Sequence, residues 1–151
     1  MTSFSLRECI LYGKESNSKI FSCFLDARQA FDRLWHYVLM VKLYESNIDV
    51  FTFKAFFNIY SNMKSCVRNQ LYMSDWFDVL QGTRQGGKSS PLLYLLYIDG
   101  LIRELEHSND GMCIFNLKAG SPTVADDMVL VSFSKHGLDR MLNTCHNYDM
   151  K

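Results

Sequence analysis

The sequence has no Cys-x-x-Cys spacing, no apolar run of membrane length, no signal-peptide anatomy, no internal repeat, no low-complexity segment and no net charge. Each absence excludes something. The five cysteines, Cys9, Cys23, Cys66, Cys113 and Cys145, are odd in number and scattered. Neither a disulfide framework nor a structural zinc site is expected; reduced, mostly buried thiols are. The longest apolar run, PLLYLLYI at 91–98, falls far short of the ~20 residues of a membrane helix, so the chain is expected to be intracellular and soluble with no membrane partner. Equal numbers of Lys+Arg and Asp+Glu, 16 of each, argue against a strong stand-alone nucleic-acid binder, because phosphate neutralisation supplies most of such affinity. No Lys/Arg cluster reads as a nuclear signal.

At 151 residues, 48% hydrophobic and 21% charged, the chain has an ordinary globular balance and one domain's worth of length, taken as a continuous unit over 1–151. Its neutrality hides an asymmetry. Residues 1–90 carry eleven Lys and Arg against eight Asp and Glu, whereas 91–151 carry five against eight. An acidic second half suits a cation better than a bare phosphate.

KIFSCFLD at 19–26 reads as a short strand ending in an acid, followed by a helical pattern from Arg33 to about Ser46 with Leu34, Val38 and Val41 on one side. A helix over 50–62 carries Phe53, Phe56, Phe57 and Tyr60, a spacing that favours core packing over a base-stacking platform. The segments 65–73 and 76–80 read as a hairpin turning at Ser74-Asp75. QGTRQGGKSSPLL then contains three glycines that forbid regular structure. Ser90 and Pro91 follow as N-cap and first-turn residues of a helix expected to run to about His107, burying Leu92, Leu95, Leu96, Leu101, Ile102 and Leu105. Strands are expected over 112–118 and 128–133, and a helix from Ser134 with Leu138, Met141, Leu142, Cys145 and Tyr148 on one stripe. The sum is an α+β fold, a small antiparallel sheet packed on helices.

In VADDMVLVS, Asp126 and Asp127 interrupt an otherwise buried strand. A harmless exposed turn is the simple account of an Asp-Asp pair. Asp26 weakens it, since it also ends an apolar strand; acids from two strand ends on one sheet edge repel unless a cation joins them. Magnesium, hard and oxygen-seeking, is the natural candidate, and two such ions can serve phosphoryl transfer. A nuclease, a polymerase and a metal-dependent phosphohydrolase all remain open at this point. His36, His107, His136 and His146 lie in helical or helix-flanking stretches and are expected in surface or core roles.

FLDARQAFDRLWH, GTRQGGKSSPLL and VADDMVLVS, in that order, resemble the palm of the reverse transcriptases of non-LTR (LINE-type) retrotransposons. Looser similarity covers nearly the whole chain. The resemblance implies an RNA-directed DNA polymerase domain with fingers and thumb largely missing. It implies that Asp26, Asp126 and Asp127 bind two Mg2+ ions, or Mn2+ in their place, with Asp26 and Asp126 the principal ligands and the Ala27 carbonyl an extra one. Phe31 would pack under the incoming sugar and exclude a 2′-hydroxyl. Gln85 and Gly86 would contact the incoming nucleotide, and Arg84 a phosphate. RNA template, DNA primer and dNTP are the implied partners, with an endonuclease domain elsewhere and the nucleus as the family's compartment.

Three positions depart from the family pattern: Val124 for an aromatic, Lys88 for an aliphatic and Gly100 for an acid. Altered primer contact is expected from the first, and compromised helix packing or solubility from the others. Three alternatives accompany the polymerase: an RNA-templated RNA polymerase, an inactive retrotransposon remnant or interaction module without catalysis, and a metal nuclease. The nuclease gives no reason for Phe31 or the glycine loop.

Overall fold

The computed structural model describes residues 2–83 and 87–149. In chain order its elements are α1 (Thr2–Glu15), β1 (Phe21–Asp26), α2 (His36–Glu45), α3 (Val50–Tyr60), β2 (Lys64–Ser65), β3 (Arg68–Asn69), β4 (Tyr72–Met73), β5 (Phe77–Asp78), α4 (Ser90–Tyr97), α5 (Asp99–His107), β6 (Cys113–Ile114), β7 (Leu117–Lys118), β8 (Thr123–Val124), β9 (Asp127–Ser132) and α6 (Lys135–Asp149). They form two compact units, one of residues 1–28 and 98–151, the other of residues 29–97.

The first unit is built on an antiparallel sheet ordered β1-β9-β8. Met128, Val129, Leu130, Val131 and Ser132 are all buried, so β9 is covered on both faces. On one face Val129 and Val131 join Cys9 of α1 and Met112, with Leu6, Tyr12, Ile20, Ile114 and Ala119 packed around them. Met141 of α6 is also buried, and the helical stripe from Leu138 to Tyr148 is buried or half-buried as its spacing requires. Ser134 caps α6, its hydroxyl accepting from the Gly137 N–H at 2.9 Å. Gly120 is fixed by close approach: a Cβ there would stand 2.5 Å from the Gly111 Cα, while its carbonyl accepts from the Val131 N–H at 2.7 Å. Gly100 likewise leaves room for a ring, since a Cβ would lie 2.8 Å from the Tyr148 hydroxyl. The glycine that departs from the family pattern therefore accommodates α6 rather than spoiling its packing.

The second unit packs α2 against α3 and α4, burying Leu34, Leu39, Leu43, Tyr60, Leu93 and Tyr94. Asp49 caps α3 by accepting from the Phe51 and Thr52 N–H groups, both at 3.0 Å. That geometry, with Thr52 the largest contributor, holds the Asp49 carboxyl below its ordinary pKa.

Several expectations fail for local reasons. Residues 64–78 form one irregular ribbon reversing at Gln70-Leu71, not at Ser74-Asp75. Gln70 supplies the positive φ of 54°, and Ser74 is tied across the ribbon to Val67 by two bonds of 2.9 Å. The helix expected to run to His107 is interrupted at Ile98 and becomes α4 and α5. Its first helical residue is Ser90, with the Ser89 carbonyl accepting from the Leu93 N–H, which moves the cap position to Ser89. Leu92 is exposed and Leu93 buried; Val38 and Val41 are also exposed. The segment 112–118 is a tight hairpin rather than one strand, with Phe115 at φ 53° in its turn. Of the α3 aromatics only Tyr60 is buried; with Trp35, Tyr37, Tyr44, Phe53 and Phe57 it lines an open groove of about 850 Å³. The cysteines are free, but only Cys9 is fully buried, the other four being half-buried. Among the described residues, no helix is long and apolar enough to cross a membrane.

Candidate functional site

Strand register brings the three acids to one end of the sheet. β1 and β9 pair antiparallel from Phe21↔Ser132 through Phe24↔Val129 and Leu25↔Met128 to Asp26↔Asp127. A slip of one residue would turn buried Val129 and Val131 onto the other face, so the apolar ladder fixes what stands at its end. Directly opposite residues share a face with Cα atoms about 4.5–5.5 Å apart. Asp26 and Asp127 are therefore neighbours across the sheet although 100 residues separate them in sequence. Asp127, not Asp126, is the direct partner of Asp26.

Asp126 lies in the two-residue turn between β8 and β9, where Val124 pairs with Asp127. Its turn neighbour Ala125 has φ 54°, a left-handed conformation that costs a residue with a Cβ roughly 1–2 kcal/mol. The tip is thus strained, and it is not the isolated hairpin of the simple account, because β1 supplies a third acid beside it.

Asp26 and Asp127 are exposed and Asp126 is half-buried. Among the described residues none of the three carboxylates makes a hydrogen bond or an ion pair. Like charges placed directly opposite destabilise a sheet, and among the described residues no basic side chain forms an ion pair that offsets this. Hard oxygen donors without a cationic partner fit a divalent ion. No set of three His, Cys, Asp or Glu side chains among the described residues converges on one point. The fit is that of an ion held by few carboxylates that keeps waters or substrate oxygens in its other positions, as magnesium does. Ala27, next along the chain, is half-buried.

The remaining candidates belong to the second unit. Phe31 is half-buried with its ring tilted 59° against Tyr94 of α4, centroids 5.6 Å apart. Its carbonyl accepts from the Thr83 N–H at 2.8 Å, and that of Leu34 from the Gly82 N–H at 2.8 Å. Trp35 bridges to Gln81, and the His36 N–H donates to the Leu80 carbonyl at 3.1 Å. Residues 80–83 are thereby tied to 31–36 just before the glycine loop. Gly82 has φ +94°, and a Cβ there would stand 3.2 Å from the Asp32 carbonyl, so only glycine fits without strain. Arg84, Gln85 and Gly86 lie outside the described residues. Lys88 is exposed, which leaves helix packing untouched, and Val124 is 44% exposed at the hairpin tip. Sequence does not single out His36. Its only signal is a histidine within an apolar helical face, and its partner Gly82 lies 46 residues away.

Comparison with known proteins identifies the family. The family described as "Reverse transcriptase (RNA-dependent DNA polymerase)" matches residues 4–148. The chain is 29% identical over 133 residues to a "Retrovirus-related Pol polyprotein from type-1 retrotransposable element R2" of Nasonia vitripennis, covering 86% of this chain and 13% of that protein. Over 90 residues it is 34% identical to a "Probable RNA-directed DNA polymerase from transposon X-element" of Drosophila melanogaster, covering 60% of this chain and 10% of that protein. The chain thus spans about an eighth or less of the length of these relatives. An apo telomerase structure from Candida tropicalis superposes with a TM-score of 0.65 at 14% identity, over 95% of this chain and 30% of that one, and shows a shared palm-like α+β fold. With a family match over residues 4–148, the chain belongs to the reverse transcriptase (RNA-dependent DNA polymerase) family.

Proposed function

We propose that residues 1–151 act as one reverse transcriptase domain that joins a dNTP to a DNA primer paired with an RNA template. The supporting observation is the Asp26↔Asp127 pair with Asp126 beside it, an acidic end without an ion-pair partner among the described residues, on a ladder whose β9 strand is buried. In the reaction the primer 3′-oxygen attacks the α-phosphorus, the bond to the bridging oxygen breaks, pyrophosphate leaves, and the hydroxyl proton passes to water. Asp26, Asp126 and Asp127 would hold the two Mg2+ ions, or Mn2+ in their place, with the Ala27 carbonyl an additional ligand. When bound, such ions lower the pKa of the attacking hydroxyl and neutralise charge that develops on the phosphate. The chain's own residues fix where that chemistry occurs, because register sets the carboxylates before any ligand arrives. Phe31, backed by Tyr94, would close the space beside the sugar 2′-carbon and select deoxynucleotides. Gln85 and Gly86 would contact the nucleotide, and Arg84 a phosphate.

Primer extension on an RNA template, with Asp126→Asn as control, tests this. Mg2+-dependent extension lost in the variant is expected; product that survives the substitution contradicts it. Equal use of ribonucleotides and deoxynucleotides would remove the role given to Phe31. Nicking of a plasmid without added dNTP would favour a nuclease.

A further inference from the structure

His36 is buried, yet it is not satisfied. Its Nε2 lies 2.7 Å from the Gly82 carbonyl oxygen, an acceptor, so Nε2 carries the proton and donates. That tautomer leaves Nδ1 as an acceptor, and Nδ1 is buried without a hydrogen-bond partner among the described residues. The ring also packs edge-on to Tyr60 at 4.9 Å. A phenylalanine would make the packing contact without stranding a polar atom, so packing alone gives no reason for an imidazole here. What the imidazole adds is one N–H aimed at the carbonyl of the residue that opens the glycine loop.

Gly82 is where such a bond has most leverage. Its N–H is held by the Leu34 carbonyl, and the next N–H, that of Thr83, by the carbonyl of Phe31. With its φ at +94°, Gly82 has the backbone freedom of glycine, and its carbonyl has no backbone donor among the described residues. We infer that His36 is a positioning residue: it locks the Gly82 peptide and so holds Gly82 and Thr83 in place beside Phe31, at the edge of the nucleotide site. This rests on the nucleotide-binding role proposed above for Phe31.

The test compares the intact chain with His36→Phe, which keeps a ring against Tyr60, and His36→Gln, which restores an N–H donor. Two readouts are taken: amide hydrogen exchange at Gly82 and Thr83, and the KM and kcat for dNTP in primer extension. Exchange at Leu43 and Leu93, buried in the same unit as His36, reports whether each variant is folded. In His36→Phe, exchange at Gly82 and Thr83 is expected to rise roughly tenfold, the equivalent of one lost buried hydrogen bond, with Leu43 and Leu93 unchanged. KM should rise by about the same factor with kcat little altered, and His36→Gln should restore both. Unchanged exchange at Gly82 and Thr83 in His36→Phe, loss in His36→Gln as large as in His36→Phe, or a fall in kcat at constant KM would each overturn the assignment. Should His36→Phe fail to fold, His36→Gln decides alone: wild-type exchange and KM support the donor role, and faster exchange with Leu43 and Leu93 protected contradicts it. If the unmodified chain does not use dNTP, the nucleotide-binding reading falls by itself, while exchange still decides whether His36 holds the loop.

Discussion

Asp26 and Asp127 end a ladder of six consecutive pairs whose β9 side is buried on both faces, whereas Leu80–Thr83 is tied to Phe31–His36 by separate backbone bonds and one histidine. The acids are placed by the hydrophobic pattern of a whole strand, so their spacing tolerates change at any single exposed residue. The loop entry depends on individual groups: a glycine that only glycine can replace, and one imidazole N–H. On the function proposed here, carboxylates that hold metal ions would gain from the first arrangement, and a loop that binds nucleotide from the second.

The largest effect should come from the ladder's end. Asp26→Asn or Asp126→Asn is expected to lower primer extension on the order of 10²–10³-fold, the scale for removing a group that stabilises transition-state charge, with the fold retained. Urea unfolding of each variant checks that the loss lies in the site. A stability loss comparable to that of a core truncation would instead mean that the acids hold the sheet together.

Within the ladder, Leu130→Ala removes a fully buried side chain and should cost about 2–5 kcal/mol, while Phe24→Ala, 70% exposed on the neighbouring strand, should change stability by no more than ~0.5 kcal/mol. Similar costs at both positions would break the claim that β9 sets the register. At the loop entry, Gly82→Ala should cost roughly 1–2 kcal/mol, because φ +94° and the Asp32 carbonyl both oppose a Cβ. Chemical denaturation measures each.

The smallest effect is electrostatic and lies away from both regions. The Arg140 guanidinium donates to the Asp110 carboxylate, through Nε at 2.7 Å and through Nη2, and holds the Asp110 pKa below the ordinary carboxylate value, with His136 a lesser cause. A lowered folded-state pKa means that the pair's contribution is fully present above the unfolded value of about 3.9 and is lost as pH falls through the folded value. Asp110→Asn should therefore lower the melting temperature at pH 7 and leave it nearly unchanged in strong acid. An equal shift at both pH values would show that packing, not charge, is responsible.

Legibility in the sequence follows the same division. Strand β1, strand β9, helix α6 and the meeting of Asp26 with the Asp126-Asp127 tip were readable because hydrophobic pattern fixes them, and the pattern is in the sequence. Helix α1 was not, since among its described residues Cys9 is the one fully buried hydrophobic side chain and Leu6 and Tyr12 are half-buried, too sparse a stripe to announce itself. The packing of Gly100 against Tyr148 depends on α6, which lies far along the chain. The reversal at Gln70-Leu71 carries no glycine signal; it is set by the ties between Val67 and Ser74. His36 was invisible as a loop clamp because its partner is a backbone carbonyl, which sequence does not mark.

Substoichiometric Mn2+ added to the uniformly 15N-labelled chain tests the central claim most directly, since paramagnetic broadening reports where the ion sits. The account expects the amides of Asp26, Ala27, Asp126 and Asp127 to broaden first, and Asp26→Asn to abolish the effect. Broadening centred elsewhere, or none at these four residues, would contradict it.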